Sequence, residues 1–421
     1  MKDAVEQITK AMRDDDAAAV RQCLEAHPEW KAHIDDPVGP FDSPAVTCAR
    51  SREMLDVLIA AGADINAKSR WWAGGFGLLH TADPELAAYA IERGAVVDVH
   101  AAARLNRMER LRELISTNAT LVNARGGDGQ TPLHFASTVE IAAYLLDQGA
   151  DIEARDVDHE STSAQYMVRD RQPVLRYLIQ RRCQTDILMT AALGDADLVG
   201  KHLDNDPDSI RLRVSDEHFP MIDPKSGGTI YQWMLGWHVS AHDVANQFGH
   251  EEVFQLLMER SPADVKLIAA CGLGDEATAT ALLAQHPNLA GTLREADRRQ
   301  VAQAARNNNL TAVRLMLASG WPVDALGQHG ATPLHWAAFH GNAEMARVIL
   351  GYHPSLEKTD ASFNGTPLGW AIHGSEHGWY SKSGSYAATA ELLLEVGAKS
   401  PEKIAGTGAV KEILRRYGVK E

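Results

Sequence analysis

Apolar and polar positions along this chain follow the spacing of short, paired helices. The segment AEMARVIL (343–350) carries an apolar stripe of helical spacing, and it comes soon after the motif GATPLHWAA (330–338). Near-copies of the motif occur as GQTPLHFAS (129–137) and NGTPLGWAI (364–372). Weaker copies keep a period of roughly thirty residues, which is typical of a helical repeat. The pattern therefore predicts an all-α fold, a solenoid of helix–turn–helix units that each pack on their neighbours.

Each position of the motif has a physical role in such a unit. Thr332 caps the first helix, and Pro333 occupies its first turn, where no amide donor is lost. The small alanines let helices approach closely, and the glycine between the helices permits a tight turn with positive φ. This pattern resembles the ankyrin repeat family, in a bacterial-type form that carries loop insertions. The resemblance implies that the motif histidines, such as His335, bond backbone between adjacent repeats, and that the protein mediates protein interactions.

The resemblance covers nearly the whole chain. It predicts an ankyrin-repeat α-solenoid of about twelve helix–turn–helix units, forming a single domain over residues 1–421. We expect an N-terminal cap at 1–34 and a polar C-terminal cap at 401–421. Two stretches that interrupt the pattern, 215–239 and 375–385, are predicted to be inserted loops.

The insertions are rich in tryptophan. A shorter one covers Ser69 to Phe76, and insertions in repeat proteins lie on loops of one face, often the binding face. Together the three insertions contain Trp71, Trp72, Trp233, Trp237 and Trp379. Since an exposed indole is unfavourable unless it packs against something, two interpretations stay open. The loops fold back over the solenoid as packed lids, or they line a ligand groove, and both can hold together.

A second set of aromatic residues follows the motif histidine. In ankyrin units this position tends to face the concave groove, and here it is occupied by Phe135, Tyr166, Trp336 and Trp370. His373 and Tyr380, near Trp379, complete the residues predicted to bind a ligand. Large aromatic side chains in this column either stack on a sugar, a nucleobase or a peptide side chain, or pack between neighbouring inner helices.

Composition narrows the possible partners. A net charge of -15 argues against a general binder of nucleic acid or of anionic membranes, because both need a basic surface. No segment approaches the ~20 apolar residues of a membrane span, and no signal-peptide pattern occurs, so we expect a cytoplasmic protein. The four cysteines follow no disulfide or metal spacing, and no phosphate loop or dinucleotide fingerprint is present. The sequence therefore predicts neither a metal nor a cofactor.

The sequence is compatible with two functions. The first is a binding protein that recognises a protein or an extended ligand through its concave face and its Trp- and His-rich loops. The alternative is a hydrolase or lyase that acts on a carbohydrate-like small molecule in a pocket under the insertions. Its proton-transfer groups would be Glu376 and His377, with Asp223 or His238 opposite.

The end of the last full repeat also spells a zinc-protease motif. His373, Glu376 and His377 form the pattern His-x-x-Glu-His, which requires one continuous helix to carry both histidines. We expect the helix to end at Gly374 and Ser375, where an ankyrin unit turns, and this argues against a zinc site there.

Overall fold

The computed structural model describes residues 2–420, with side chains from Gln7 onward. The two ends of the predicted domain, Met1 and Glu421, lie outside the described residues. The described chain is mostly helical.

Helices account for nearly all of the regular structure. In chain order the α-helices of the described residues are α1 (Lys2–Arg13), α2 (Ala17–Ala26), α3 (Ala45–Cys48), α4 (Arg52–Ala60), α5 (Pro84–Glu92), α6 (Val99–Arg104), α7 (Met108–Thr117), α8 (Val139–Asp147), α9 (Gln172–Gln180), α10 (Ile187–Leu193), α11 (Ala196–Asn205), α12 (Tyr231–Met234), α13 (Ala241–Gln247), α14 (Glu251–Arg260), α15 (Ala263–Leu273), α16 (Glu276–Gln285), α17 (Glu295–Arg298), α18 (Gln300–Arg306), α19 (Leu310–Ala318), α20 (Pro333–Phe339), α21 (Ala343–Leu350), α22 (Pro367–His377), α23 (Tyr386–Glu395) and α24 (Gly408–Arg416). Short 3₁₀ helices span Pro28–His33, Pro40–Asp42, Leu78–His80, Ala119–Asn123, Gly127–Gly129, Pro132–Phe135, Gln165–Met167, Pro207–Arg211, Ala290–Thr292 and Gln328–Gly330. Two antiparallel strands, β1 (Pro37–Gly39) and β2 (Ser43–Pro44), pair Pro37 with Pro44 and Gly39 with Ser43.

The chain forms two compact units. The first comprises Met1–Leu198 and Leu212–Val239, and the second comprises Val199–Arg211 and Ser240–Glu421. In the second unit the inner helices α18, α20 and α22 pack in sequence, and the outer helices α19, α21 and α23 pack in sequence beside them. This stacking of helix pairs is the arrangement expected of a helical solenoid.

The Thr-Pro-Leu-His motif ties each repeat to the next. The hydroxyl and the backbone N–H of Thr332 lie 2.8 and 3.1 Å from Nδ1 of His335, which closes the first turn of α20. On its other side, Nε2 of His335 donates to the carbonyl of Gly365 in the following repeat, at 3.1 Å. His134 makes the same bonds, with Thr131 and with the carbonyl of Ser161 at 3.1 Å. The predicted structural role of these two histidines is confirmed.

Burial keeps the motif histidines neutral. It lowers the pKa of His134 to about 3 and also lowers the pKa of His335. A neutral imidazole has one acceptor nitrogen and one donor N–H, which is what the bonds to Thr and to the next repeat require.

In two other repeats a different residue occupies the position of the motif histidine and accepts the hydrogen bond that closes the first turn. Gln165 accepts from the backbone N–H of Thr162 at 2.9 Å, and Asp243 accepts from that of Ser240 at 2.8 Å. Both side chains supply the acceptor that closes the first turn. These two repeats lack the motif histidine but keep the same local geometry.

The two best motif copies differ in the length of the element they form. Residues 333–339 form the full helix α20, whereas Pro132–Phe135 form a single 3₁₀ turn. The connection explains the difference, since α8 begins at Val139, soon after His134, and leaves no room for further helical turns. The guanidinium of Arg171 donates to the carbonyls of His134 and Ala136 at 2.6 and 3.0 Å, which satisfies acceptors that a longer helix would have paired.

Candidate functional site

The second unit contains a cavity of about 500 Å³ that we call the aromatic pocket. Its lining residues are His329, Trp336, Phe339, Phe363, Gly365, Gly369, Trp370, His373 and Trp379. Three of the residues predicted from the groove-facing column and the last insertion, Trp336, Trp370 and Trp379, thus come together.

Consecutive inner helices position the two buried indoles. Trp336 on α20 and Trp370 on α22 meet edge to face, with ring centroids 5.0 Å apart. Nε1 of Trp370 donates to the carboxylate of Asp360 at 2.9 Å, which fixes the ring. A Cβ at Gly365 would lie 2.9 Å from the same ring, so only glycine lets Trp370 pack there.

The third indole comes from the last insertion. Trp379 lies against Trp336 with its ring nearly parallel, at a centroid distance of 6.0 Å, yet 59% of Trp379 stays exposed. Phe363, on the neighbouring hairpin, is 69% exposed. Tyr380 packs its ring edge to face on His340, at 5.1 Å, beside this cluster. The insertion therefore adds an open aromatic wall to a buried aromatic floor.

Helix α22 corrects one expectation about this region. We predicted that the helix would end at Gly374 and Ser375, and this is wrong, because α22 continues to His377. A Cβ at residue 374 would lie 2.5 Å from the carbonyl oxygen of Phe339, so Gly374 marks a close helix approach and not a helix end. Ser375 is accommodated because its hydroxyl donates to the carbonyl of Ile372 at 2.7 Å.

A cation adjoins two of the indoles of the aromatic pocket. The guanidinium of Arg306 lies 5.6 Å from the Trp336 ring centre and 5.3 Å from that of Trp379, and burial lowers the pKa of Arg306. Buried polar atoms without a hydrogen-bond partner among the described residues include Gln303 Oε1, Arg306 Nε, Gln328 Oε1, Trp336 Nε1 and His340 Nδ1. These five atoms are buried, so a ligand in the aromatic pocket does not contact them as the protein is packed here.

The other predicted aromatic ligand-binding residues lie in the first unit. Phe135 packs on His80 and His100, with centroid distances of 5.8 and 5.4 Å, and Tyr166 donates to Asp156 at 3.0 Å. These two contacts match the alternative in which the column packs between inner elements.

Each of the first two insertions has one tryptophan that packs on a neighbouring ring and one that is more exposed. Trp71 packs edge to face on Phe41 at 4.8 Å, whereas Trp72 is 36% exposed with the Lys225 ammonium 5.9 Å from its ring. Trp237 lies 5.3 Å from the His238 ring, and Trp233 is 70% exposed.

The four residues predicted to transfer protons are placed in different units. Glu376 and His377 lie at the end of α22 in the second unit, with both side chains exposed and 4.0 Å between carboxylate and imidazole. Asp223 and His238 belong to the first unit. There the carboxylate of Asp223 accepts from the backbone N–H of Lys225 at 2.9 Å, and His238 adopts a positive φ of 61°.

The insertion 215–239 is held firmly within the first unit. The hydroxyl of Tyr231, which is fully buried, donates to Asp186 at 2.8 Å. The carboxylate of Glu160 accepts from the backbone N–H groups of Ile222 and Asp223 at 2.9 and 2.8 Å. The insertion thus folds back on the repeats, as the packed-lid interpretation expects.

The packed insertion lines one side of a second cavity, of about 520 Å³, which we call the polar cavity. Its polar lining residues are Glu153, Arg155, Glu160, Ser161, Thr162, Gln165, Gln184, Thr185, Asp186, His218 and Thr229. His218 is one of the polar residues of the insertion 215–239 that suit the enzyme alternative, although no role of its own was predicted. Glu160 and Asp186 follow no motif that predicts a site.

Two groups of metal-ligating side chains come together among the described residues, and neither matches a sequence motif. They are His80, Asp98 and His100, and Asp128, Asp158 and His159. In the second group, burial and the charges of Asp158 and Asp156 raise the pKa of Asp128 to about 7, against the opposing effect of His159.

Stacked helix pairs joined by Thr and His ties define a helical-repeat scaffold, and comparison with known proteins identifies the repeat. A family model described as "Ankyrin repeats (3 copies)" matches residues 267–360 and 301–401, and one described as "Ankyrin repeat" matches 128–157. The chain therefore contains ankyrin repeats in these two regions, and repeats of this family indicate a protein-interaction module.

A curated protein shares a limited part of the chain. Palmitoyltransferase Hip14 of Drosophila melanogaster is 29% identical over 97 residues, which is 23% of this chain and 15% of the relative's length. The similarity thus spans only a small part of that relative. Among the described residues, no helix combines the length and apolarity needed to cross a bilayer.

Proposed function

We propose that the protein binds an extended polypeptide segment along the groove of its second unit, and that the aromatic pocket receives an apolar side chain of that segment. The observation that carries the proposal is the meeting of Trp336, Trp370 and Trp379, from three separate elements, around one cavity of about 500 Å³. Tryptophan-lined pockets with a buried floor are where binding energy concentrates in protein interfaces.

Burial of the exposed wall of the pocket would drive the binding of a partner. Trp379 and Phe363 are 59% and 69% exposed. Covering such surface stabilises a complex by about 25 cal/mol for each Å² removed from water. A contiguous exposed aromatic patch on a folded protein marks an interaction site.

The neighbouring cation favours a polypeptide over a purely apolar ligand. The guanidinium of Arg306 lies 5.3 Å from the ring centre of Trp379, which forms the open wall of the pocket. An extended backbone carries C=O groups along its length, and these can accept from a guanidinium.

Selection from a displayed library of random peptides on the full-length chain tests this proposal. We expect enrichment of peptides with an aromatic or large aliphatic residue. Their affinity should fall about 30-fold in Trp379→Ala, since a central tryptophan contributes about 2 kcal/mol or more. Trp233→Ala is the matched control, because Trp233 is 70% exposed in the first unit and should leave affinity unchanged. Equal binding by the Trp379→Ala variant and the wild type would exclude the pocket as the recognition site.

A second candidate function rests on the polar cavity. Its lining places the carboxylates of Glu160 and Asp186 and the imidazole of His218 around about 520 Å³. Hydroxyl groups both donate and accept, so a carbohydrate-like small molecule suits such a lining. The experiment below distinguishes binding of such a molecule from its enzymatic conversion.

Calorimetric titration with a panel of mono- and disaccharides tests the second candidate. We expect binding that is weakened by Asp186→Asn and unaffected by Trp379→Ala. Product formation over time would add the enzymatic alternative, whereas no heat from any sugar would reject this candidate.

A further inference from the structure

Three hydrogen-bond acceptors converge in the first unit without a donor between them. Asp128, Asp158 and His159 each place one ligand atom so that all three atoms lie within 4.8 Å of one another. Asp128 lies in the hairpin turn of the repeat at 128–157, and the other two lie just beyond that repeat.

The imidazole of His159 is oriented by a bond outside this group. Its Nδ1 lies 2.7 Å from the carbonyl oxygen of Gly228 in the insertion 215–239, and a carbonyl can only accept, so Nδ1 carries the hydrogen. In the neutral ring Nε2 then has a free lone pair. This nitrogen faces Asp158 Oδ2 at 3.7 Å, and His159 is only 9% exposed. An imidazole anchored through its Nδ1–H with Nε2 free is the usual arrangement of a metal-ligating histidine.

The two carboxylates have few hydrogen-bond donors among the described residues. Asp158 is 5% exposed, and its Oδ1 accepts a single bond, from the backbone N–H of Gly227 at 3.2 Å. Its Oδ2 and the carboxylate of Asp128 accept no hydrogen bond from the described residues. Asp128 is half-buried, and negative charge that is partly removed from water without a donor or cation is unfavourable.

The other metal-ligating group of the first unit shows the contrast. There Nε2 of His80 donates to Asp98 at 3.0 Å, since Nδ1 of His80 already accepts from the backbone N–H of Gly77. Lys68 adds an ammonium donor to Asp98 at 2.9 Å, and His100 bonds the carbonyl of Ala124 at 2.9 Å. The carboxylate of Asp98 thus has an imidazole and an ammonium as donors, so its charge is compensated without a further cation.

We propose that Asp128, Asp158 and His159 form a binding site for a divalent transition-metal cation, of which Zn²⁺ is the natural probe. One imidazole with two carboxylates is a ligand set that such cations accept. Metal–ligand bonds of about 2.1 Å in tetrahedral geometry place the ligand atoms about 3.4 Å apart. The 3.7 Å between His159 Nε2 and Asp158 Oδ2 is already close to this spacing.

The cation would join the repeat to the insertion. The bonds of His159 to Gly228 and of Asp158 to Gly227 attach the ligands to the insertion, while Asp128 belongs to the repeat hairpin. The site therefore acts as a structural tie, and it explains why glycine occupies position 227, where a Cβ would lie 3.2 Å from the His159 ring and 3.4 Å from Asp158.

The test is a zinc titration of the tag-free, full-length chain after removal of metals with a chelator. We expect one zinc per chain by elemental analysis and a zinc-dependent rise of the melting temperature. Asp158→Asn and His159→Gln should each weaken zinc binding at least about tenfold. Asp216→Asn is the matched control, because it removes an exposed carboxylate from the same insertion and should bind zinc like the wild type.

Folding of the variants is checked by their melting temperature in chelator, where Asp158→Asn should match or exceed the wild type because it relieves repulsion between acceptors. A wild-type chain that takes up no stoichiometric zinc would overturn the proposal, with a proton holding the group together instead. Zinc binding that survives both substitutions would overturn it as well, because the metal would then lie elsewhere.

Discussion

The aromatic pocket and the polar cavity have nearly the same volume, about 500 and about 520 Å³, but opposite linings. The aromatic pocket is built mainly by helices of full-length repeats, which present one groove-facing side chain after another. The polar cavity is built by hairpins, a shortened repeat and a long insertion. Irregular backbone must find partners for its own N–H and C=O groups, and this requirement brings in carboxylates, hydroxyls and amides. In this chain, regular repeats thus line an aromatic cavity, and irregular segments line a polar one.

The largest expected effect is a loss of folding stability when the buried floor of the aromatic pocket is truncated. Trp336→Ala removes a side chain that is 4% exposed, and we expect it to destabilise the second unit by about 3–5 kcal/mol, because a large cavity remains. Chemical denaturation measures this. Trp233→Ala, at a 70% exposed site, should cost little. Similar costs for the two variants would show that the pocket is not part of the core.

The polar cavity should depend on one buried hydroxyl. Tyr231→Phe deletes the donor to Asp186, and a hydrogen bond to a charged group contributes about 1.5–3 kcal/mol. We expect a loss of that size in the stability of the first unit and faster proteolysis within 215–239. Tyr380→Phe, at a 38% exposed site of the second unit, serves as the control. An unchanged cleavage pattern would contradict the anchoring role of Tyr231.

Acidification should weaken the repeat ties of the first unit. The folded state holds His134 neutral, with a pKa of about 3, whereas the unfolded chain takes up a proton near pH 6.5. Stability present above pH 6.5 is therefore lost as the pH falls towards 3, and the loss reaches about 2 kcal/mol at pH 5. Denaturation at pH 7 and pH 5 measures it. His134→Gln should show less pH dependence, since the chain already uses Gln165 in this place.

The smallest effect concerns the exposed end of α22. Glu376→Gln should change the stability of the second unit by less than about 0.5 kcal/mol, because the side chain is 42% exposed and its neighbour His377 is 64% exposed. Peptide binding in the aromatic pocket should also persist. A large loss in either measurement would give Glu376 a role beyond that of a surface residue.

Much of the fold was predictable because its signals are local. The bonds of Thr332 with His335 join residues three positions apart, so the motif predicts them directly. The length of the inner element was less predictable. GQTPLHFAS and GATPLHWAA look alike, and only the position of the next helix, with Arg171 as a replacement donor, makes the first a single 3₁₀ turn.

The candidate site was predictable in part. The column position placed Trp336 and Trp370 together, and Trp379 joined them, since insertions gather on one face. The acceptor group at Asp128, Asp158 and His159 gave no signal, because its ligands follow no metal spacing and their orientation depends on Gly228, far along the chain.

The sequence by itself determined the ankyrin repeats, their capped first turns and the histidine ties, because each arises from residues a few positions apart or one repeat apart. The tertiary structure alone decided how Trp379 lies against the tryptophans of the repeats, how the insertion 215–239 folds onto the repeats, and where acceptors with few donors meet. Those outcomes depend on distances between residues tens of positions apart and outside the repeat pattern, such as the 6.0 Å between the rings of Trp336 and Trp379 and the 2.8 Å between Tyr231 and Asp186. A repeating pattern fixes the period of such a chain, but packing decides what the breaks in the pattern bring together.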